Sequence, residues 1–285
     1  MYLNGVINVD KPSGMTSSDV VCCIRKIFST RAVGHMGTLD PIGTGVLPIG
    51  IGKSTRLFDY LLKKDKVYRT NFLFGLETDT LDIQGKTLKK TDAIPSLKEF
   101  TDAVSYFVGK QNQIPPLYSA KNVNGVRAYD LARAGKNFVL EGKEIEIFDI
   151  YDIEQSGNSF NLTVNCSSGT YIRSLCRDIA YKLNSYAIMT SIRRLRSGNF
   201  LIEDSHTLDE ISNLKEQVIV LPEACLNIPT VNIDDKFYVK LSNGASIVQN
   251  QIVDGKYFVR CKGELFGIAD CVSGILKIKT YLKDL

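Results

Sequence analysis

The stretch from Glu144 to Cys166 constrains the fold more than any other part of the chain. Apolar and polar residues alternate over Glu144–Gln155 with one slip in register, which predicts a long strand with one buried face. Gly157-Asn158 then favours a tight turn, and Ser159–Cys166 again has the composition of a strand. The segment therefore predicts a long antiparallel hairpin within a sheet.

Helical patterns occur on both sides of this hairpin. Helices are predicted over Ser17–Phe28, Ser96–Val108 and Tyr171–Leu183, and the first and third of these have apolar residues at helical spacing. Serines or threonines that can cap a helix lie at or just before each start. The resulting fold class is α+β, with a mixed, mainly antiparallel sheet flanked by helices. Further strands are predicted at Gly5–Asp10, Val46–Ile51, Lys66–Leu76 and Met189–Phe200.

The 285 residues suggest about two domains. After Pro222 the sequence pattern changes to short predicted strands separated by glycine turns, with no strong helical period. This pattern is typical of a small β-barrel. We therefore predict one domain over residues 1–226 and a small C-terminal β-barrel over residues 227–285. Residues 110–143 form an excursion from the first domain that is basic, glycine-punctuated and aromatic at Tyr118 and Tyr129. Those properties suit contact with a nucleic-acid backbone and its bases.

Composition excludes several classes of protein. The seven cysteines are scattered, with no C-x-x-C spacing and no cluster with histidine, so a zinc site and a disulfide framework are not expected. Apolar runs are too short to cross a bilayer, and the first residues lack a signal-peptide pattern, so we expect a cytoplasmic protein. The formal net charge of +4 is weak support for nucleic-acid binding. The basic run Arg193–Arg196 is either a phosphate contact or a solvated face.

One segment resembles the end of a nucleotide-binding loop. Gly50-Ile51-Gly52-Lys53-Ser54 approaches the pattern G-x-x-x-x-G-K-[ST], but Leu47 stands where that pattern needs glycine. Nucleotide hydrolysis is therefore disfavoured. Ser54 or Thr55 instead predicts the cap of a helix that ends near Lys64.

A glycine-rich loop from Gly34 to Pro48 surrounds a single carboxylate, Asp40. Its four glycines let the backbone turn sharply or approach a ligand, and Pro41 stiffens the turn that follows. His35 lies five residues before the carboxylate. The loop is either a surface turn or an active-site loop that presents a nucleophilic aspartate, and it does not by itself decide between them.

Arg173 is a candidate partner for this carboxylate. It falls in the first turn of the helix predicted over Tyr171–Leu183, where the helix dipole disfavours a cation by roughly 0.3–1 kcal/mol. Such an arginine either holds a carboxylate or phosphate, or is a tolerated surface residue. An aspartate is normally ionised at neutral pH, so it needs no base to be nucleophilic, and an arginine can keep it charged and oriented.

Five ordered stretches together resemble the TruB-type tRNA pseudouridine synthases, and the likeness runs from about Gly5 to Phe200. The C-terminal segment is similar to a PUA-type RNA-binding barrel. The five stretches are Gly5–Ser17, the loop Gly37–Pro48 around Asp40, Lys66–Tyr68 before Gly75, Pro115–Tyr129, and Gly169–Leu175.

The resemblance implies an activity and a role for each matching residue. The family isomerises uridine 55 in the T loop of tRNA to pseudouridine without a cofactor, after the base is flipped out. The implied catalytic residues are Asp40 as nucleophile, Arg173 as its partner, and Tyr68 against the uracil. The implied RNA-binding and supporting residues are His35, Tyr171, Ile192, Lys11, Arg127 and Tyr129, with residues 110–143 as the RNA-gripping insertion.

The resemblance also sets expectations about partners. The expected substrate is the T stem-loop of tRNA, with no metal, no cofactor, no membrane, no guide RNA and no obligate protein partner, and the protein is expected to be a monomer. An alternative from a different class is a tRNA-binding or tRNA-folding chaperone in which catalysis is incidental. The basic insertion and the C-terminal barrel favour that alternative.

Overall fold

The computed structural model describes residues 3–123 and 125–283. Eight α-helices are present in these residues, and a 3-10 helix over Gly52–Leu57 precedes the second of them. The helices are α1 (Ser17–Ile27), α2 (Phe58–Leu62), α3 (Leu97–Ser105), α4 (Ala128–Arg133), α5 (Ile172–Lys182), α6 (Leu208–Leu214), α7 (Pro222–Cys225) and α8 (Tyr238–Ser242). The strands are β1 (Gly5–Lys11), β2 (Val33–His35), β3 (Thr44–Ile51), β4 (Lys66–Phe74), β5 (Leu76–Thr78), β6 (Thr87–Lys90), β7 (Gly109–Gln113), β8 (Asn122–Val123), β9 (Val126–Arg127), β10 (Lys143–Ser156), β11 (Ser159–Cys166), β12 (Ala187–Ser197), β13 (Phe200–Leu201), β14 (Ile219–Val220), β15 (Thr230–Ile233), β16 (Ile247–Val248), β17 (Gly255–Cys261), β18 (Glu264–Val272) and β19 (Ile275–Tyr281).

The first of two compact units consists of Met1–Pro41, Gly45–Leu62 and Ser197–Leu285. Its N-terminal part is built on β1, which pairs antiparallel with β3 on one side and with β14 on the other. β2 continues this arrangement on the far edge of β3. Apolar side chains of these strands are buried, in keeping with their near-continuous hydrophobic sequences.

The C-terminal residues of this unit form a sheet of their own in the strand order β15-β17-β18-β19-β16. β15 and β17 are parallel, and the other pairs are antiparallel. This half-barrel contributes to two cores: Phe258 and Ile268 pack with Leu57 and Leu61, whereas Phe266 lies in a separate cluster with other residues of the half-barrel. The boundary predicted at residue 226 stays a prediction, because the compact unit joins residues from both of its sides.

The second compact unit consists of Ile42–Thr44 and Lys63–Arg196. Its strands follow the order β12-β4-β11-β10-β7. The predicted hairpin is confirmed: β10 and β11 are antiparallel, with shifts in register along β10, and Gly157 has a φ of 58° in the turn. Phe100 of α3 stacks on Phe160 at a centroid distance of 4.1 Å, and Phe74 meets both rings edge-on. These rings anchor the helix on the sheet.

The structure confirms the α+β class and the mainly antiparallel sheet, and it corrects the local ends of several elements. Thr16, not Ser17 or Ser18, caps α1 in a capping box with Asp19. The segment after Ile51 begins as a 3-10 helix without a side-chain cap, so Ser54 and Thr55 are not caps. The C-terminal residues also include the short helix α8, which the glycine-turn pattern did not predict.

Candidate active site

The loop that carries Asp40 connects β2 to β3 and is held at both sides of the carboxylate. On the N-terminal side, the backbone N–H of Leu39 donates to the hydroxyl of Ser17 at 2.9 Å. On the C-terminal side, the N–H of Gly14 donates to the carbonyl oxygen of Pro41 at 2.9 Å. Gly37 has a φ of 131°, a conformation that other residues rarely adopt, so a glycine is required there. Asp40 is therefore presented, half-buried, on a backbone with fixed ends.

Lys11 lies beneath this loop with its side chain completely buried. Its ammonium group donates to the carbonyl oxygens of Pro12 at 2.8 Å, Met15 at 2.5 Å and Pro41 at 3.3 Å. An ammonium group has three donors, and these carbonyls belong to two turns of the backbone, one over residues 12–15 and one at Pro41, the residue after Asp40. The predicted supporting role of Lys11 is compatible with these contacts.

His35 ends β2, where it faces Ile49 of β3 in the strand register. Its side chain is half-buried. The next residue, Met36, is buried and donates its N–H to the carbonyl of Pro48, so the two arms of the loop are joined just beyond the histidine. His35 and Asp40 thus stand on one ordered loop.

Arg173 lies in the second unit, in the first turn of α5, and is 5% exposed. Its guanidinium group donates to the carbonyl oxygens of Thr80 and Tyr118, each at 3.0 Å, and lies 3.8 Å from the carboxylate of Asp82. The tolerated-surface alternative for this arginine is therefore wrong. Since Asp40 and Arg173 belong to different compact units, their pairing stays a prediction.

Asp82 is a site residue that the sequence did not identify. It lies in an acidic loop, is 6% exposed, and its carboxylate accepts hydrogen bonds from the hydroxyl of Thr80 at 2.6 Å and the N–H of Gln84 at 3.0 Å. The loop is tied to β12 by two backbone hydrogen bonds with Met189. The acidic run Glu77–Asp82 carries no local sequence signal that connects it to Arg173.

Tyr68 and Ile192 lie on β4 and β12, which are neighbours in the sheet of the second unit. Both side chains are buried, at 7% and 8% exposure. Tyr171 is the residue that precedes α5, and it is half-buried. The second unit therefore contains Tyr68, Ile192, Tyr171 and Arg173, whereas the first contains Lys11, His35 and Asp40.

The insertion carries its predicted RNA-binding residues on a short hairpin and helix. Arg127 is exposed at the end of β9, and Tyr129 is 40% exposed in α4. The ring centroids of Tyr129 and Tyr118 lie 6.0 Å apart, and the Arg133 guanidinium lies 4.9 Å from the centroid of the Tyr129 ring. Basic and aromatic groups are thus adjacent, as single-stranded RNA recognition needs.

The basic run Arg193–Arg196 is only partly a solvated face. Arg194 is 1% exposed, and the positive charge of Arg194 acts on Lys66, itself 6% exposed. Burial, with a smaller contribution from Arg194, lowers the pKa of the Lys66 ammonium group to about 8. Burial likewise raises the pKa of the Cys166 thiol to about 12, so this cysteine is a poor nucleophile.

Over residues 3–123 and 125–283, no group of three or more histidine, cysteine, aspartate or glutamate residues is arranged to hold a metal ion. In the same residues, no helix is long and apolar enough to span a membrane. Two carboxylates of the acidic loop contact other groups of the protein. Asp82 lies near the guanidinium group of Arg173, and Asp79 accepts the N–H of Lys86 at 2.8 Å.

Comparison with known proteins gives the class of this site. Residues 25–172 match the family model described as TruB family pseudouridylate synthase, N-terminal domain, and residues 173–222 match the tRNA pseudouridylate synthase B C-terminal domain. Pseudouridylate synthases are isomerases. Within this class, the chain belongs to the TruB family.

Named relatives are similar in sequence to most of the chain. The chain is 41% identical to tRNA pseudouridine synthase B of Clostridium perfringens (strain 13 / Type A), over 88% of this chain and 86% of the relative. It is 43% identical to the protein of the same name from Clostridium tetani, with 88% of each covered. A crystal structure of a Cbf5-Nop10-Gar1 complex is similar with a TM-score of 0.73 and 26% identity, over 98% of this chain and 85% of that one.

Proposed function

We propose that this TruB-family isomerase converts uridine 55 in the T loop of tRNA to pseudouridine, with Asp40 as the nucleophile. The observation that carries the proposal is the construction of the Asp40 loop, in which Ser17, Gly14 and buried Lys11 fix the backbone on both sides of one carboxylate. The names of the relatives support tRNA as the substrate. The sequence motifs support position 55.

The reaction exchanges one bond for another without net oxidation or reduction. The bond between N1 of the uracil and the ribose C1′ breaks, the base turns, and a bond between C5 and C1′ forms. The C5 proton is lost and N1 gains a proton, so substrate and product are isomers. In this scheme Asp40 assists detachment of the base, and Arg173 pairs with the carboxylate and orients it.

The other site residues bind the flipped nucleotide. Tyr68 contacts the uracil face, and we assign it stacking in preference to proton abstraction, because a neutral tyrosine is a weak base. Tyr171 and Ile192 line the uracil pocket, and His35 enters the space that the flipped nucleotides vacate. Arg127 and Tyr129 on the insertion grip the T stem-loop.

The proposed organisation is a catalytic domain over residues 1–226, an RNA-gripping insertion at about 110–143, and a PUA-like RNA-binding domain over residues 227–285. The enzyme acts in the cytoplasm as a monomer, with no guide RNA and no obligate protein partner. Matches to relatives named tRNA pseudouridine synthase B cover 86–88% of their length, which supports a domain organisation shared with them.

The direct test incubates purified protein with a synthetic T stem-loop RNA, without added cofactor, and maps pseudouridine at nucleotide resolution. Wild-type protein is expected to modify position 55 only, and Asp40→Asn to lose at least about 1,000-fold in rate, since the covalent route is removed. RNA affinity should persist in the variant. An RNA with cytidine at position 55 is the substrate control. Pseudouridine at the wild-type rate from Asp40→Asn contradicts the assignment of the nucleophile.

A second function, tRNA folding, is favoured by the adjacent Tyr118, Tyr129 and Arg133 groups of the insertion. Binding by these groups needs no isomerisation, so it would survive loss of Asp40. The test is refolding of a misfolded tRNA by Asp40→Ala protein. Refolding equal to wild type supports a chaperone activity beside catalysis, and loss of refolding excludes it.

A further inference from the structure

Gln113, the last residue of β7, binds both backbone groups of Tyr171. Its side-chain oxygen accepts the N–H of Tyr171 at 2.8 Å, and its side-chain nitrogen donates to the Tyr171 carbonyl at 3.1 Å. The Gln113 side chain is 2% exposed. A primary amide carries a donor and an acceptor on one rigid plane, so it is suited to hold both groups of one residue.

Tyr171 is the residue on which α5 begins. It has extended φ and ψ angles and forms no side-chain cap, and its carbonyl also accepts the first helical hydrogen bond, from Leu175 at 3.0 Å. The orientation of this residue therefore sets the direction in which the helix starts. Arg173 follows two positions later, in the first turn.

The chain beyond Gln113 continues to contact the same helix turn. The carbonyl of Ile114 accepts hydrogen bonds from the Ser174 hydroxyl at 2.8 Å and from Arg177 at 3.0 Å. The carbonyl of Tyr118 accepts one from Arg173. Residues 113–118, in the first part of the insertion, thus connect the end of β7 to the first turns of α5.

We propose that Gln113 is a positioning residue for isomerisation, which fixes Tyr171 and, through the first turn of α5, the guanidinium group of Arg173. Gln113 touches neither substrate nor reacting atoms in this role. Gln113 pairs with Lys143 of β10 in the sheet, so it holds Tyr171 and Arg173 in place even if the insertion beyond residue 118 moves when RNA binds. The inference rests on the proposed roles of Tyr171 and Arg173 in uridine isomerisation.

The test is Gln113→Met, which keeps the length of the side chain but removes both hydrogen bonds. Gln155→Met is the matched control, because Gln155 lies on β10, outside the insertion, and its amide donates instead to the carbonyls of Pro95 and Gly157. Single-turnover pseudouridine formation at saturating enzyme should fall about 100-fold in Gln113→Met, as expected for a misplaced catalytic group. The dissociation constant for the RNA should change by less than about threefold, and Gln155→Met should match wild type on the scale of these effects.

A purely structural role gives a different result. It would lower the folded fraction while leaving the rate per folded molecule unchanged, so rates are normalised to the fraction that binds RNA stoichiometrically. Amide hydrogen exchange supplies the second measurement: Gln113→Met should accelerate exchange in the peptide that contains Tyr171 and Arg173, with no change in β10 or β11. If Gln113→Met does not fold, Gln113→Asn replaces it, since its shorter amide cannot reach both groups, and an approximately tenfold loss is then expected.

The outcomes separate this inference from the proposed function. Wild-type modification at position 55 with an unimpaired rate in Gln113→Met, or in Gln113→Asn where that variant is used, overturns the positioning role and leaves the function intact. Absence of pseudouridine from wild-type reactions overturns the function, and the positioning role with it. A reduced rate per folded molecule with unchanged affinity supports both.

Discussion

The two compact units each bury a cation behind a proposed catalytic segment, and they hold it differently. Lys11 in the first unit donates to backbone carbonyls of Pro12, Met15 and Pro41. Arg173 in the second unit donates to two carbonyls and also lies 3.8 Å from a carboxylate, that of Asp82. Both residues are at most 5% exposed.

The difference indicates two roles: Lys11 holds the shape of a loop, whereas Arg173 holds a charged group in a fixed orientation. Lys11 is a compact ammonium that joins turns of nearby chain, at separations of 1, 4 and 30 residues. Arg173 is a planar fork that joins segments 93 and 55 residues away. A fork held at several edges has one orientation, whereas an ammonium can rotate. We therefore expect Arg173 variants to affect the rate most, and Lys11 variants to affect stability most.

Among the variants that compare the two buried cations, Arg173→Lys should have the largest effect, with a loss of roughly 100- to 1,000-fold in the single-turnover rate. Lysine keeps the charge but cannot reach the carbonyls of Thr80 and Tyr118 and the carboxylate of Asp82 in one geometry. RNA affinity should change little. Arg177→Lys is the control, since this arginine is on the same helix and binds Ile114 and Asp178. A mild effect of Arg173→Lys would show that charge alone suffices.

Lys11→Met should lower the free energy of unfolding by about 3 kcal/mol, because three backbone carbonyls lose their charged donor, the buried ammonium group of Lys11. Urea denaturation measures this loss. Lys26→Met, at an exposed position in the last turn of α1, should stay within about 0.5 kcal/mol of wild type. Equal stability of the two variants would contradict the supporting role of Lys11.

Lys66 is a third buried cation. Arg173 lies near the carboxylate of Asp82, whereas Lys66 lies near the positive charge of Arg194. The pKa of Lys66 is lowered to about 8 in the folded protein, chiefly by burial, from 10.5 in an open chain. Between these pH values the unfolded chain binds more protons than the folded one, so stability rises with pH. From pH 7 to 9.5, wild type should gain about 2 kcal/mol relative to Lys66→Met.

The difference between wild type and Lys66→Met is the quantity to measure, by urea denaturation at each pH. Cys166 has its pKa raised to about 12 by burial and acts in the opposite direction, but it is present in both proteins and cancels. A constant difference across this pH range would mean that Lys66 keeps an ordinary pKa in the folded state.

Features encoded by neighbouring residues were predictable from the sequence. The β10–β11 hairpin follows from alternation and a Gly-Asn turn, and the Asp40 loop follows from closely spaced glycines and prolines. The partners of Arg173 were not predictable, because Thr80, Asp82 and Tyr118 are remote in sequence and carry no periodic signal. The same reason explains the start of α5: its first residue is held by Gln113 from a distant strand, where a local Ser or Thr cap was predicted.

The smallest predicted effect compares two capping boxes of the same design. Thr16 and Asp19 cap α1, and Ser96 and Glu99 cap α3, so Thr16→Ala and Ser96→Ala should each cost about 1 kcal/mol of stability by urea denaturation. Their effects on the reaction should differ. α1 begins at Ser17, which holds Leu39 beside Asp40, whereas α3 packs its Phe100 on the rings of Phe74 and Phe160.

Fraying of the first turn of α1 should loosen the Asp40 loop, so the single-turnover rate of Thr16→Ala should fall by about three- to tenfold, and that of Ser96→Ala should not change. The two variants lose the same kind of capping interaction, so a difference between their single-turnover rates measures how much the first turn of α1 contributes to holding the Asp40 loop. Equal rates would mean that the contacts of Lys11 and Gly14 with Pro41 keep the loop in place even when the first turn of α1 frays.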